Sequence, residues 1–383
     1  MAAGDLDTTF AGDGTKSISF GGTDSARAVL VQPNGRILVV GGGGPRSSFC
    51  VARLRSNGKL DPTFGSAGKR TFSFGRENEG AFGAALQADG KILVVGDAEF
   101  RVAVARLRTD GSLDKTFSED GKKVFSWGSL SRATGVLPLP NGKIVVTGFS
   151  GPETGNVKAA RLTATGTLDT TFGTAGIATA DFGGDDFGIA AARQRNGRIV
   201  IVGESRPTLS NDPSTAIVAR LRSNGALDPD FDGDGRLLLP GLTTVNAVAI
   251  QPDRKILVAG NGPDHSVMIV MRLNPNGTPD PTLGGDGTAT VDFGGNDDFC
   301  NAIALQPDGK IVLAGYIAGG IVAVARLNSD GSPDGTFSTD GRATVDFGDP
   351  TFGNAVALQS NGRIVVAGDL TAGDKFAIAR LRG

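Results

Sequence analysis

An all-β ring, a seven-bladed β-propeller with four antiparallel strands per blade and closed by pairing of the two chain ends, is the fold this sequence predicts. Three observations predict it. Six arginines are each followed eight residues later by an aspartate: Arg53 and Asp61, Arg106 and Asp114, Arg161 and Asp169, Arg220 and Asp228, Arg272 and Asp280, Arg326 and Asp334. Arg380 has no such aspartate after it and Asp7 no such arginine before it, so the ends carry complementary halves of a seventh pair. From Asp7 to Asp334 the aspartates recur at spacings of 54, 53, 55, 59, 52 and 54 residues. Units of that length with four short strands and no helical period read as propeller blades. An open solenoid would need polar caps, yet the first and last units are as apolar as the middle ones.

The chain has 383 residues, which on length alone suggests two or three domains. The repeats instead make residues 1–383 one body of seven tandem units of about 54 residues. Glycine is abundant, at 59 residues, but without a period of three, which excludes collagen. Hydrophobic residues reach 39%, enough for cores. The formal net charge of -2 offers no strong field for nucleic acid or an anionic membrane. No apolar run approaches the roughly 20 residues of a membrane span. The start, MAAGDLDTTF, has neither a basic head nor a hydrophobic stretch, so no export signal is expected in it. Cys50 and Cys300 lie in different repeats with different neighbours and read as two buried thiols. A monomer is expected.

Each unit holds four strand signals. The F-G strand is read at Lys16–Phe20, Thr71–Phe74, Ala178–Phe182 and Ala289–Phe293, and the A-x-A strand at Ala28–Gln32 and its equivalents. The K-I-x-V strand is read at Arg36–Val40, Ile92–Val95, Ile144–Val146, Ile256–Val258 and Ile364–Val366. The A-R-L strand is read at Phe49–Arg55, Val102–Leu107, Ile217–Leu221 and Phe376–Leu381. β-Branched residues and period-two alternation support all four. Asn34-Gly35, Asp89-Gly90, Asn141-Gly142, Asn196-Gly197, Asp308-Gly309 and Asn361-Gly362 sit between the A-x-A and K-I-x-V strands, where tight hairpins need positive φ. Asp253-Arg254 departs from this, and either Arg254 is strained or another turn is used. A second set, including Asn57-Gly58, Asp110-Gly111 and Asp330-Gly331, follows the A-R-L strand.

That second turn explains the Arg–Asp spacing. A bend centred near Asn57 places Arg53 opposite Asp61, and opposite residues share a face. Both faces of the A-R-L strand are apolar, so the charges are expected to be buried between stacked blades as structural ion pairs, with arginine gripping the carboxylate through two parallel hydrogen bonds. Asp7 is expected to meet Arg380.

The tandem L-D-x-T-F-G, A-x-A-x-Q-P-D-G-K-I-x-V-A-G and A-R-L-N-x-D-G pattern resembles the delta-60 repeat family, a β-propeller family of bacterial proteins. Leu60–Phe64, Ala84–Gly96, Val104–Gly111, Ala302–Gly315 and Val324–Gly331 carry the resemblance, which extends over essentially the whole chain. It implies a ring and an extracellular or cell-envelope location, and it supplies no common catalytic residues. Departures are Pro240-Gly241 in place of Phe-Gly, Leu139 where six units have Gln, and Leu283 in place of the anchor Phe.

Several residues are candidate sites. Asp13, Asp120, Asp234, Asp286 and Asp340 precede glycines, but no 12-residue calcium loop with a closing glutamate is present, and turn formation accounts for them. Asp185 with Asp186 and Asp297 with Asp298 are weak metal candidates: clustered on one face they would gather oxygen ligands for Ca²⁺, and the other reading is solvated turn residues. His265 and Tyr316, each the one residue of its type, are ligand-surface candidates, as is Arg206 in the long insertion Glu204–Pro213. A single histidine excludes a His₂ or His₃ zinc site. Trp127 occupies a slot that is Phe in most units and reads as core. No catalytic residue and no cofactor other than Ca²⁺ is suggested. The expected function is a non-enzymatic scaffold or binding module that recognises protein or glycan on one propeller face. The alternative is a hydrolase or lectin-like protein with a Ca²⁺-assisted site there.

Overall fold

The A-x-A, K-I-x-V and A-R-L strands of each repeat pair antiparallel in that order, and the F-G strand of the following repeat adds as the fourth. The computed structural model describes residues 2–45, 47–151, 155–207, 213–295, 297–372 and 374–383. Seven such four-stranded sheets form the ring. In the first blade the strands are Ser25–Val31, Ile37–Gly43, Ser48–Leu54 and Lys69–Phe72. The last blade has Thr351–Leu358, Ile364–Leu370 and Lys375–Leu381, and takes its fourth strand, Thr15–Ile18, from the other end of the chain. Thr15 pairs with Ala379 and Ile18 with Phe376. The ring is closed by its ends. Among the described residues no helix is long and apolar enough to cross a membrane.

The apolar core lies between blades. Leu38, Val40, Phe49 and Val51 of the first blade pack on Ile92, Val94, Ala103 and Ala105 of the second. Their alternate neighbours Ile37, Val39, Cys50 and Ala52 pack on Val365, Phe376 and Ile378 of the last. Both faces of every middle strand are therefore covered, which is why these strands read as continuous apolar runs. Leu283 and Trp127 sit in these cores, Trp127 donating from its indole nitrogen to Phe149 O at 2.8 Å. Burial pushes both cysteine thiols up to about 12.

Two strand readings shift. The F-G strands end before their phenylalanine, at Ile18, Phe72, Ala180 and Val291. The amides of Phe20, Phe182 and Phe293 are held by the carboxylates of Asp24, Asp186 and Asp298 instead of by a neighbouring strand. The A-x-A strands begin earlier, because a β-bulge interrupts all seven and the ladder resumes beyond it. At the hairpins, Arg254 adopts φ 75, so the strained reading of Asp253-Arg254 is the one observed. The acids preceding glycine close short turns, as where Asp286 Oδ1 accepts from Thr288 N at 2.8 Å.

The arginines and aspartates meet, but not as two-pronged pairs. Arg106 Nε donates to Asp114 Oδ2 at 2.8 Å, while its Nη2 goes to Thr116 Oγ1 at 3.0 Å and its Nη1 to Ala164 O of the next blade at 2.7 Å. Thr116 Oγ1 in turn donates to Asp114 Oδ1. The guanidinium lies over Phe117, 4.9 Å from the ring centre. The bonds to aspartate and threonine recur, joining Arg53 to Asp61 and Thr63, Arg161 to Asp169 and Thr171, Arg272 to Asp280 and Thr282, and Arg326 to Asp334 and Thr336. Arg220 holds Asp228 in a unit that has Asp230 where the others have threonine. The D-x-T-F motif thus supplies acceptor, relay and aromatic floor, and the third arm of the arginine ties one blade to the next. At the closure Arg380 Nη2 lies 2.9 Å from Asp7 Oδ2, and its Nη1 donates to Ser56 O of the first blade.

A second cation completes each site. Arg36, Lys91, Lys143, Arg198, Lys255, Lys310 and Arg363, all just after the hairpin turn, reach the same carboxylates as the buried arginines, at 2.5–3.3 Å. Burial alone would push the Asp114 carboxyl up. Hydrogen bonds from the Thr116 hydroxyl and amide, with the charge of Arg106 and a bond from Lys91, bring it down to about 2.

Asp7→Ala strands two guanidiniums, those of Arg380 and Arg363. It is expected to cost about 3–5 kcal/mol in urea unfolding, as Arg326→Ala should. A neutral Asp7→Ala beside a costly Arg326→Ala would show that the ends are not joined through this pair. The folded Asp114 carboxyl lies below its unfolded value of about 3.9, so its stabilisation is present above that pH and lost as the pH falls through about 2. Unfolding free energy should decline between about pH 4 and pH 2, and Asp114→Asn should flatten that slope.

Candidate functional site at the channel mouth

The seven bulges all place one extra residue on the channel wall: Arg27, Phe82, Thr134, Ile189, Asn246, Asn301 and Asn354. A bulge re-aims a side chain without disturbing the rest of the sheet. The glycine ending the K-I-x-V-x-G motif makes room for it. A Cβ at Gly315 would lie 1.7 Å from Phe299 O, beside the Asn301 bulge. Three of the bulge amides run from blade to blade. Asn246 donates to Cys300 O, Asn301 to Gly353 O and Asn354 to Ala26 O, each at 2.9 Å.

All of the bulge residues except Thr134 rim a hollow of about 540 Å³ on the face opposite the hairpin turns, lined by Arg27, Phe82, Ile189, Asn246, Asn301, Tyr316, Phe352, Asn354 and Asp369. Its walls are unequal. Over the fifth to seventh blades an aromatic run forms: His265 stacks on Phe299 at 5.0 Å, Phe299 on Tyr316 at 4.6 Å, and Tyr316 meets Phe352 edge-on at 4.8 Å. Cross-strand pairing of Phe299 with Tyr316 and of Phe352 with Asp369 sets this order.

Carboxylates paired with arginines stand beside the aromatics. Arg27 Nη2 lies 3.6 Å from Asp369 Oδ2, and Ser25 Oγ donates to Asp369 at 3.0 Å. Burial pushes the Asp369 carboxyl up, opposed by the charge of Arg27 and by bonds from Asn354 and Ser25. Asp97 is raised in the same way, by burial against the opposing charge of Arg132. Arg132 lies 3.4 Å from Asp97 and over the Phe82 ring at 4.6 Å. Burial, then Asp297, raises the Tyr316 phenol.

The sequence candidates divide. Tyr316 lines the hollow, and His265 joins it through the stack on Phe299. Arg206 is not among the lining side chains; it bonds to Glu204 Oε1 and lies over Phe187 at 4.7 Å. Residues 208–212, the centre of its insertion, lie outside the described residues. Three of the four acids of the two pairs accept backbone amides. Asp186 and Asp298 are buried, so neither is a solvated turn residue, and each accepts the amide of the preceding Phe at 2.7 Å. Asp186 also accepts from Ser205 Oγ, and Asp185 accepts from Gly155 N at 2.9 Å. Asp297 is exposed. Among the described residues no three or more His, Cys, Asp or Glu are grouped so that they could hold a metal ion.

The bulge residues and Asp369 were missed in the sequence. The available signal was the variable position inside a constant frame: Arg27, Asn246, Asn301 and Asn354 each stand between small apolar residues that hardly change from unit to unit.

Seven segments, residues 32–64, 87–117, 139–172, 194–231, 251–283, 306–337 and 359–382, match the model of a β-propeller domain of unknown function, DUF5122. Together they make up more than half of the chain. The chain belongs to the DUF5122 β-propeller family. No curated protein matches it in sequence. Among solved structures it resembles the hydrazine synthase of Kuenenia stuttgartiensis (12% identity, 96% of this chain and 97% of that one, TM-score 0.59) and a streptogramin B lyase (11%, 96% and 97%, 0.57). It also resembles the polysaccharide lyase Uly1 (12%, 93% of this chain and 89% of that one, 0.51). At these identities the likeness is one of fold.

The buried Asp298 is expected to be structural. Asp298→Ala orphans the Phe293 amide and should cost about 1–3 kcal/mol, while Asp298→Asn, which keeps an acceptor, should cost less. Thermal melts in the presence and absence of Ca²⁺ check this, and both variants should shift equally in the two.

Proposed function

We propose that the channel mouth binds a glycan in the manner of a lectin. The observation that carries this reading is the aromatic run Phe299–Tyr316–Phe352 bordering a hollow that the amides of Asn246, Asn301 and Asn354 also line. Sugar rings present C–H faces that stack on aromatics and hydroxyls that bond to amides and carboxylates, and a pocket combining apolar walls with a few fixed polar groups suits such a ligand. The Asn-to-backbone bonds fix the polar groups before the ligand arrives, which lowers the ordering cost of binding. A glycan-binding ring also fits an extracellular or cell-envelope setting, as the resemblance to delta-60 repeats implies.

A second reading, hydrolysis, is favoured by Asp369. A carboxyl raised by burial and placed on the wall of a ligand-sized hollow has the character of a general acid.

Titration calorimetry against a panel of neutral and acidic oligosaccharides tests both. The lectin reading expects saturable binding that Tyr316→Ala weakens at least tenfold without lowering the thermal midpoint. Absence of binding across the panel, or a Tyr316→Ala variant that binds normally, would overturn it. Release of shorter saccharides that stops in Asp369→Asn would establish the hydrolytic reading instead.

A further inference from the structure

On the turn-bearing face the third unit departs from the repeat before its hairpin. Six units have glutamine before the hairpin and the third has Leu139. In the last blade that glutamine works in two directions: Gln359 Nε2 donates to Gly35 O of the first blade, and Gln359 Oε1 lies 3.4 Å from Arg380 Nη1. Gln194 likewise donates to Arg254 O of its neighbour. A leucine supplies neither the acceptor for the guanidinium nor the donor for the next turn. A hollow of about 300 Å³ stands there, between the third and fourth blades, with Leu139, Arg161, Arg193, Gly197 and Ser223 in its lining.

Two arginines face it. Arg161 is one of the seven repeat arginines, but its side chain is 11% exposed where the other six are 2–5%. Its bonds to Asp169, Ser223 O and Thr171 use three of the five N–H groups of a guanidinium. Arg193 is a second departure, at a position that is apolar in every other unit, Val31, Leu86 and Leu305 among them. It is half-buried, and its guanidinium has no acid or hydrogen-bond partner among the described residues. No carboxylate lines the hollow. A half-buried guanidinium without a counter-charge is costly and calls for an anion.

We infer that this hollow is an oxyanion site, recognising a phosphate or sulfate group through Arg193 and the uncommitted N–H groups of Arg161. Paired guanidiniums offer planar, multidentate donors that match a tetrahedral oxyanion better than point charges do. The site lies on the opposite face from the channel mouth and does not depend on what binds there.

The test is titration of the full chain with inorganic pyrophosphate in chloride buffer, by calorimetry and by phosphorus NMR line width, with sulfate as competitor to separate phosphorylated from sulfated sources. One saturable site is expected. Arg193→Gln should weaken it tenfold or more. Leu139→Gln, which restores the repeat and offers the Arg161 guanidinium an acceptor, should weaken it tenfold or more with the thermal midpoint unchanged or raised. Arg254→Gln, at an exposed arginine on the same face, should change affinity less than twofold. Lack of saturable binding overturns the inference. So does unchanged binding in Arg193→Gln, or an equal loss in Arg254→Gln, which would mark diffuse attraction to a basic face.

Discussion

A buried carboxylate has to be satisfied within its blade, and the arginine that satisfies it also reaches the next one; the ring is organised around that requirement. Each D-x-T-F aspartate receives an arginine from its own blade, a threonine from its own turn and a second cation from the neighbouring strand. The arginine then extends to a carbonyl of the next blade. Ordinary blade packing is apolar and tolerates sliding. A buried charge does not, because any displacement leaves it unpaired in a medium of low dielectric. The pairs therefore act chiefly on register, setting how far each blade advances past the last. The seventh, made from the two ends, applies the same constraint to closure.

Much of this was legible in the sequence because it repeats. The period, the Asn-Gly turns and the Arg–Asp spacing are local features, and antiparallel hairpins turn local spacing into contact. Three things were not legible. The glycine ending each K-I-x-V-x-G motif looks like a turn residue, yet it clears space for a neighbouring carbonyl, so the bulge beside it left no mark of its own. Asp186 and Asp298 read as solvated turn residues because nothing local shows that each curls back onto a Phe amide. The channel wall was hidden for a different reason. It is built from one residue per blade, about 54 positions apart, and only ring closure brings Arg27 near Asp369.

The two faces differ in how closely they keep the repeat. On the turn-bearing face the repeat is kept almost unit for unit, since the ion-pair sites there hold the ring, and Leu139 with Arg193 stands out against that constancy. On the other face the frame is kept while the bulge residue and the strand-end residue vary freely, from Arg27 to Phe82 to Asn301 and from Asp97 to Tyr316 to Asp369. Seven near-identical supports thereby carry an asymmetric mouth, aromatic on one arc and arginine–carboxylate on the other.

The most direct measurement of the central claim is a double-mutant cycle on Arg380 and Asp7, using Arg380→Met, Asp7→Leu and both together, followed by equilibrium unfolding. If a shared buried carboxylate joins the ends, the sum of the two single losses should exceed the loss in the double variant, with a coupling of about 2 kcal/mol or more. The double variant should then recover part of what each single variant loses. Additive losses with no coupling would contradict the account.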